Sequence, residues 1–267
     1  MRWLFSLFLL CSAHALGQDA PVQGTLSDKA LPESSVDESF DFLDRYRAKA
    51  TDKWQTAMLA LEQRNASEED PADAILFIGS SSIRRWDSIA VDMAPYRTIQ
   101  RGYGGAKYSD VAVYAKRLIQ PHQYRALVSF VGNDVSGKPD DHTPDEVERL
   151  VRYVVGVSHQ HQPDAPVLLI EITPTEKRLE AWPRIREVNA RLREIALSTA
   201  NTYFIATAGD FLDPTGQPRS ELFVEDRLHL NSDGYQLWSH LIRRRLDEVI
   251  RATTEFRARK AAETTEP

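Results

Sequence analysis

Ala74-Ile75-Leu76-Phe77-Ile78-Gly79-Ser80-Ser81-Ser82-Ile83-Arg84-Arg85-Trp86 begins as an apolar run, turns at a glycine and resumes as a helix-compatible stretch. A strand that ends in glycine and restarts at serine presents a hydroxyl where a helix begins. Backbone N–H groups there have no intrahelical partner and can stabilise negative charge. Acyl-transfer chemistry needs a nucleophile in such a setting.

Downstream, short apolar runs alternate with longer periodic ones. The pattern predicts strands over 74–79, 97–100, 126–131, 166–172 and 203–207. It predicts helices over 82–90, 109–119, 144–160, 182–199 and 232–250. Strand–helix alternation of this kind implies an α/β domain with a mainly parallel sheet covered on both faces. The strands read as nearly continuous apolar runs, as doubly covered strands do. Upstream, Phe40, Leu43, Tyr46, Ala50, Trp54, Ala57, Met58 and Leu61 recur mostly at three- and four-residue steps. They predict an amphipathic helix from about residue 37 to 64 that packs on the domain.

The chain has 267 residues, of which 42% are hydrophobic and 27% charged, enough for one sizeable core. A net charge of −6 argues against nucleic acid as a partner. Arg2, the apolar run Trp3–Leu10 and the small-x-small sites Ala13-His14-Ala15 or Ala15-Leu16-Gly17 read as a cleavable secretory signal over 1–17. The run is too short to span a bilayer. Cys11, the only cysteine, follows Leu10, which is larger than a typical lipoprotein signal carries there. The mature chain would then hold no disulfide or thiolate ligand. The reading is therefore of a secreted or periplasmic protein: a flexible leader over 18–35, one domain over 36–251 and a polar tail over 252–267 that frays.

Ligands of open α/β sheets bind beyond the carboxyl ends of the strands. After the first three predicted strands come Gly79-Ser80-Ser81, Arg101-Gly102-Tyr103-Gly104-Gly105 and Gly132-Asn133-Asp134. They supply a hydroxyl, glycine amides and a carboxamide. Near the end, Asp226-Arg227-Leu228-His229 places a carboxylate three residues before an imidazole. Such an Asp can accept the ring N–H and leave the other ring nitrogen free as a base, which a serine nucleophile requires. Oxyanion donors would be the Ser81 N–H, the Gly105 N–H and the Asn133 amide. Each block alone has a plain reading as a turn, a cap or a surface pair.

Together the four blocks resemble the SGNH hydrolases, the GDSL-like esterase/lipase superfamily, from about residue 74 to 246. Gly79-Ser80-Ser81-Ser82-Ile83-Arg84 is similar to the first block in its G-S-S-S-I-R version, which implies Ser81 as nucleophile. The glycine-rich run resembles the second block and implies Gly105 as an oxyanion donor. Gly132-Asn133-Asp134 resembles the third and implies Asn133 as the side-chain donor. Asp226-x-x-His229 resembles the last. The resemblance implies a three-layer α/β/α flavodoxin-like sandwich with a five-stranded parallel sheet, and hydrolysis without a cofactor or metal. Two departures stand out. Ser80 occupies the usual Asp position, and Val131 stands where the third block has glycine, with Gly132 between it and Asn133.

Tyr103 and Tyr108 are candidates to line the substrate site, and Trp86 and Trp238 read as core. Asp134 reads as a loop stabiliser. His159-Gln160-His161 reads as a solvated helix end, not a metal site. His122, His142 and His240 read as surface residues, and Arg84, Arg85 and Lys107 as exposed charges. The expected function is an exported serine esterase for small acyl groups, O-acetyl among them, on a small-molecule or polysaccharide ester. A lysophospholipase or thioesterase, a non-catalytic carbohydrate binder or, more distantly, a nucleotide-binding domain are the alternatives.

Overall fold

The computed structural model describes residues 38–265. The expected signal and leader, 1–17 and 18–35, lie outside the described residues. The strands are β1 (Ile75–Gly79), β2 (Thr98–Gly102), β3 (Ala126–Phe130), β4 (Val167–Ile170) and β5 (Thr202–Ile205). They form one parallel sheet in the order β2-β1-β3-β4-β5. The helices are α1 (Glu38–Ser67), α2 (Ser81–Arg84), α3 (Ile89–Asp92), α4 (Tyr108–Ile119), α5 (Pro144–His161), α6 (Trp182–Ser198) and α7 (Ser232–Thr265). This is the expected flavodoxin-like α/β fold with an added N-terminal helix. Its strand order reverses between β1 and β3, so a crevice opens at their carboxyl ends.

All five residues of β1 are buried, because both faces of the sheet are covered. Leu76 and Ile78 join a core with residues of α1, α4, α5 and α6. Ile75 and Phe77 face the opposite core, built with α2, α3 and α7. Complete burial of Phe77 contributes about 2–3 kcal/mol.

The helix expected over 82–90 is broken into α2 and α3. Gln100 on β2 donates its amide to the carbonyls of Ile83 (2.6 Å) and Trp86 (3.1 Å), acceptors that a continuing helix would use. Trp86 is fully buried, stacks on Tyr235 and donates its indole N–H to Asp92 at 2.7 Å. The tail expected to fray from 252 instead continues α7 to Thr265. Its Ala, Arg, Lys and Glu residues are strong helix formers, so polarity there does not end the helix.

Candidate active site

Gly79, Gly102 and Phe130 are in register, so β1, β2 and β3 end at one level. Gly79 has φ +142°, and a Cβ there would lie 1.9 Å from the Phe130 carbonyl oxygen. Only glycine fits, and the turn it makes sends the chain sharply into α2. Ser80 N–H donates to Phe130 O at 3.0 Å, and the N–H groups of Ile83 and Arg84 both donate to Ser80 O at 3.1 Å. Ser81 thus becomes the first residue of a one-turn helix, and its own N–H and that of Ser82 have no helical acceptor. Tyr235 donates its hydroxyl to Ser82 O at 2.9 Å, tying α7 to this turn.

The Ser81 hydroxyl lies 2.9 Å from His229 Nε2, and His229 Nδ1 lies 2.6 Å from Asp226 Oδ2. The other Asp226 oxygen accepts the N–H groups of Leu228 (3.0 Å) and His229 (2.9 Å). The turn closes on Arg227 at φ +55°. Partial burial pushes the Asp226 carboxyl up, but the His229 N–H, its ring and the Leu228 N–H outweigh it and hold the pKa at about 2. Arg85 stands 3.7 Å from the same carboxylate, and Arg84 is exposed.

Asn133 lines the same cavity as Ser81 and His229, so the displaced glycine at 132 does not carry it away. Its Nδ2 donates to Ala106 O at 3.0 Å and lies 3.8 Å from where a Cβ on Gly105 would be. The glycine-rich loop is braced from α1: Gly104, at φ +39°, packs on Trp54, whose ring would be 2.1 Å from a Cβ. The cavity is small, about 30 Å³, room for roughly two water molecules. Phe130, Ile172, Leu228 and Trp238 form its apolar walls.

Tyr103 and Tyr108 do not line this cavity, which corrects their assignment to substrate. Tyr103 is 1% exposed and packs edge-on against Trp54, and Tyr108 is 0% exposed with its hydroxyl 3.5 Å from Ser129. Burial pushes both phenols up. The chain turns them into the core between sheet and helices because two aromatic rings gain more there than at a polar rim. His122 is also not a surface residue: it is fully buried and bonded to Asp70. His142 is largely buried and paired with Asp134 at 2.9 Å. Asp134 also accepts the Tyr108 N–H at 2.9 Å, in keeping with a loop-stabilising part. His240 is exposed. His161 Nε2 contacts the His122 carbonyl at 2.8 Å, and among the described residues no cluster of three or more His, Cys, Asp or Glu could hold a metal.

The loop beyond β4 supplies what the sequence reading missed. Ile172, Thr173, Thr175 and Arg178 all line the cavity. Reading strand exits would have reached the threonines had it been carried on to the fourth strand. Arg178 lies further along, in a 3-10 turn over Glu176–Ala181, where no local pattern marks it. Burial lowers its pKa, and Asp141 and Asp134 partly restore it.

A model of the GDSL-like Lipase/Acylhydrolase family matches residues 78–237. No curated protein matches the chain. Among solved structures, a Streptococcus pneumonia protein described as a candidate platelet activating factor is similar at 20% identity and TM-score 0.63, over 79% of this chain and 100% of that one. A GDSL-like lipase from Bacteroides thetaiotaomicron is similar at 17% identity and TM-score 0.61, over 72% and 97%. A carbohydrate esterase family 3 protein from Talaromyces cellulolyticus is similar at 16% identity and TM-score 0.51, over 67% and 99%. Among the described residues no helix is long and apolar enough to cross a membrane.

Proposed function

The chain belongs to the GDSL-like lipase/acylhydrolase family and is an ester-bond hydrolase, and on that premise we propose an exported serine esterase for short acyl groups, worked by Ser81, His229 and Asp226. The observation that carries this reading is the unbroken chain of contacts from Ser81 Oγ through the His229 ring to Asp226, at 2.9 and 2.6 Å.

In the first step the Ser81 oxygen attacks the ester carbonyl while His229 Nε2 takes the hydroxyl proton. Asp226, held ionised by two backbone N–H groups, fixes the ring with Nδ1–H toward itself and stabilises the imidazolium. The developing oxyanion is met by the Ser81 and Gly105 N–H groups and the Asn133 amide. Each such donor is worth about 10²–10³ in rate. The imidazolium then protonates the departing alcohol. Water, deprotonated by the same ring, attacks the acyl-enzyme and releases the acid and the serine hydroxyl.

A short acyl group suits a cavity this small, with Phe130, Ile172 and Trp238 among its apolar walls. Esters of acetate on small molecules or polysaccharides suit this site, and the signal-like segment over 1–17 suits export.

Ser81→Ala is expected to abolish hydrolysis of p-nitrophenyl acetate with the fold intact by circular dichroism. Wild-type turnover in that variant would refute the nucleophile. In the wild type, kcat/KM should fall from acetate through butyrate to octanoate; a rise with length would refute the short-acyl reading.

A further inference from the structure

We propose that Arg178 is a positioning residue for the oxyanion site: its guanidinium fixes which way the Asn133 carboxamide points. The inference rests on the reading of Asn133 as an oxyanion donor and adds the group that makes it one.

A carboxamide has two nearly isosteric ends, one that only accepts and one that only donates. Turned over, it would offer the oxyanion a carbonyl oxygen and repel it. Local backbone does not choose between the two, so the neighbours must. Arg178 Nη2 donates to Asn133 Oδ1 at 2.5 Å. On the other side, Ala106 O accepts from Asn133 Nδ2 at 3.0 Å. The guanidinium has no acceptor and the Ala106 carbonyl has no donor. A flipped amide would set NH₂ against a cation and C=O against C=O, losing both bonds at once. With Oδ1 taken by arginine and one amide hydrogen by Ala106, one N–H remains free, on the nitrogen that faces Gly105.

The second branch of the fork explains the irregular third block. Arg178 Nη1 donates to the Gly132 carbonyl oxygen. A Cβ on residue 132 would lie 3.3 Å from that same Nη1, tighter than most real contacts. Glycine at 132 therefore lets the guanidinium close on both the backbone and the side chain of the Asn133 loop. A planar fork can hold two acceptors in one geometry, whereas an ammonium is a point donor.

The turn that carries Arg178 is itself anchored to the acid–base loop. Lys177 N–H donates to Arg227 O at 3.2 Å, and the Arg227 guanidinium pairs with Glu176 at 3.2 Å. The segment beyond β4 thus touches the Asn133 loop on one side and the Asp226–His229 loop on the other.

The test is a double-mutant cycle with p-nitrophenyl acetate on full-length protein, using Asn133→Ala, Arg178→Met and the pair. Asn133→Ala should lower kcat about 10²–10³-fold. Arg178→Met should lower kcat about 10²-fold, the scale of a misplaced catalytic group, with KM little changed. The double variant should be no slower than Asn133→Ala alone, because the arginine acts only through the amide. Arg178→Lys keeps the charge but not the fork, and should show a smaller loss than methionine. It also serves where methionine fails to fold, which thermal melting reports. Full activity in Asn133→Ala would remove the oxyanion reading itself. A slow Asn133→Ala beside a fully active Arg178→Met or Arg178→Lys would overturn the arginine inference alone. So would losses that multiply in the double variant, or a loss confined to KM, since either means that Arg178 meets the substrate directly.

Discussion

The His229–Asp226 and His142–Asp134 pairs have the same chemistry and nearly the same geometry, 2.6 and 2.9 Å from Nδ1 to carboxylate, yet opposite surroundings. The Asp226 side chain is 42% exposed and the Asp134 side chain 0%. At Asp226 burial is the largest single effect and pushes the carboxyl up, but the His229 and Leu228 N–H groups and the ring together outweigh it and hold the pKa at about 2. At Asp134 burial wins, and the carboxyl is raised despite His142, the Tyr108 N–H and Lys107. The far nitrogen of His229 meets a serine hydroxyl in a cavity, whereas the His142 ring lies edge-on to Tyr46 with centroids 5.7 Å apart. An imidazole–carboxylate pair is therefore not a site in itself. What the second ring nitrogen faces decides whether it moves protons or joins loops.

The largest effect should come from removing each ring in turn. His229→Ala is expected to lower kcat on p-nitrophenyl acetate by up to about 10⁶, the scale of losing a triad base. His142→Ala should keep turnover near the wild-type order and lose stability instead, about 1–3 kcal/mol, since a buried carboxylate loses a partner. Steady-state kinetics and urea unfolding on both variants check this. A folded His142→Ala protein without activity would break the contrast.

The carboxylates sharpen it. Asp226→Asn should lower kcat about 10⁴-fold, because the amide no longer holds the ring in the useful tautomer. Asp134→Asn keeps an acceptor for the Tyr108 N–H and should change the rate far less. Equal losses in the two would show that the buried pair also serves the chemistry.

The same contrast marks what could be read in the sequence. The run before Gly79 was legible because apolar continuity, a glycine and a serine report on local backbone. The Asp-x-x-His spacing was legible because both groups lie in one tight turn. Tyr103 and Tyr108 are misread from sequence because a ring beside a glycine turn can face either the crevice or the core; Trp54 of α1 packs on the first, and the second lies buried against Ser129 of β3. His122 reads as a surface residue because its partner, Asp70, lies in another segment, and His142 because Asp134 stands eight residues back in the same loop, a spacing that no local pattern marks. Gln100 ending α2 from another strand is non-local in the same way. Arg178 is the clearest case: its meaning lies in two acceptors more than forty residues upstream.

The smallest expected effect separates the pairs by sign. A carboxyl held below its ordinary value adds stability that is complete above about pH 4 and lost as pH falls through about 2. Asp226 is in that position. Asp134, raised by burial, has the reverse sign: its ionised form is disfavoured in the fold, so it opposes stability as pH rises past the ordinary carboxyl range. The Asp226 contribution should be less than about 1 kcal/mol, because water screens a carboxylate that is 42% exposed. That corresponds to at most about 2–4 °C in Tm for a domain of this size. Melting curves of the wild type and Asp226→Asn between pH 5 and 2 should therefore converge as pH falls, while those of the wild type and Asp134→Asn should not follow that course. If the Asp226 gap held constant down to pH 2, its carboxylate would not be held by the turn as described, and the orientation of His229 would need another cause.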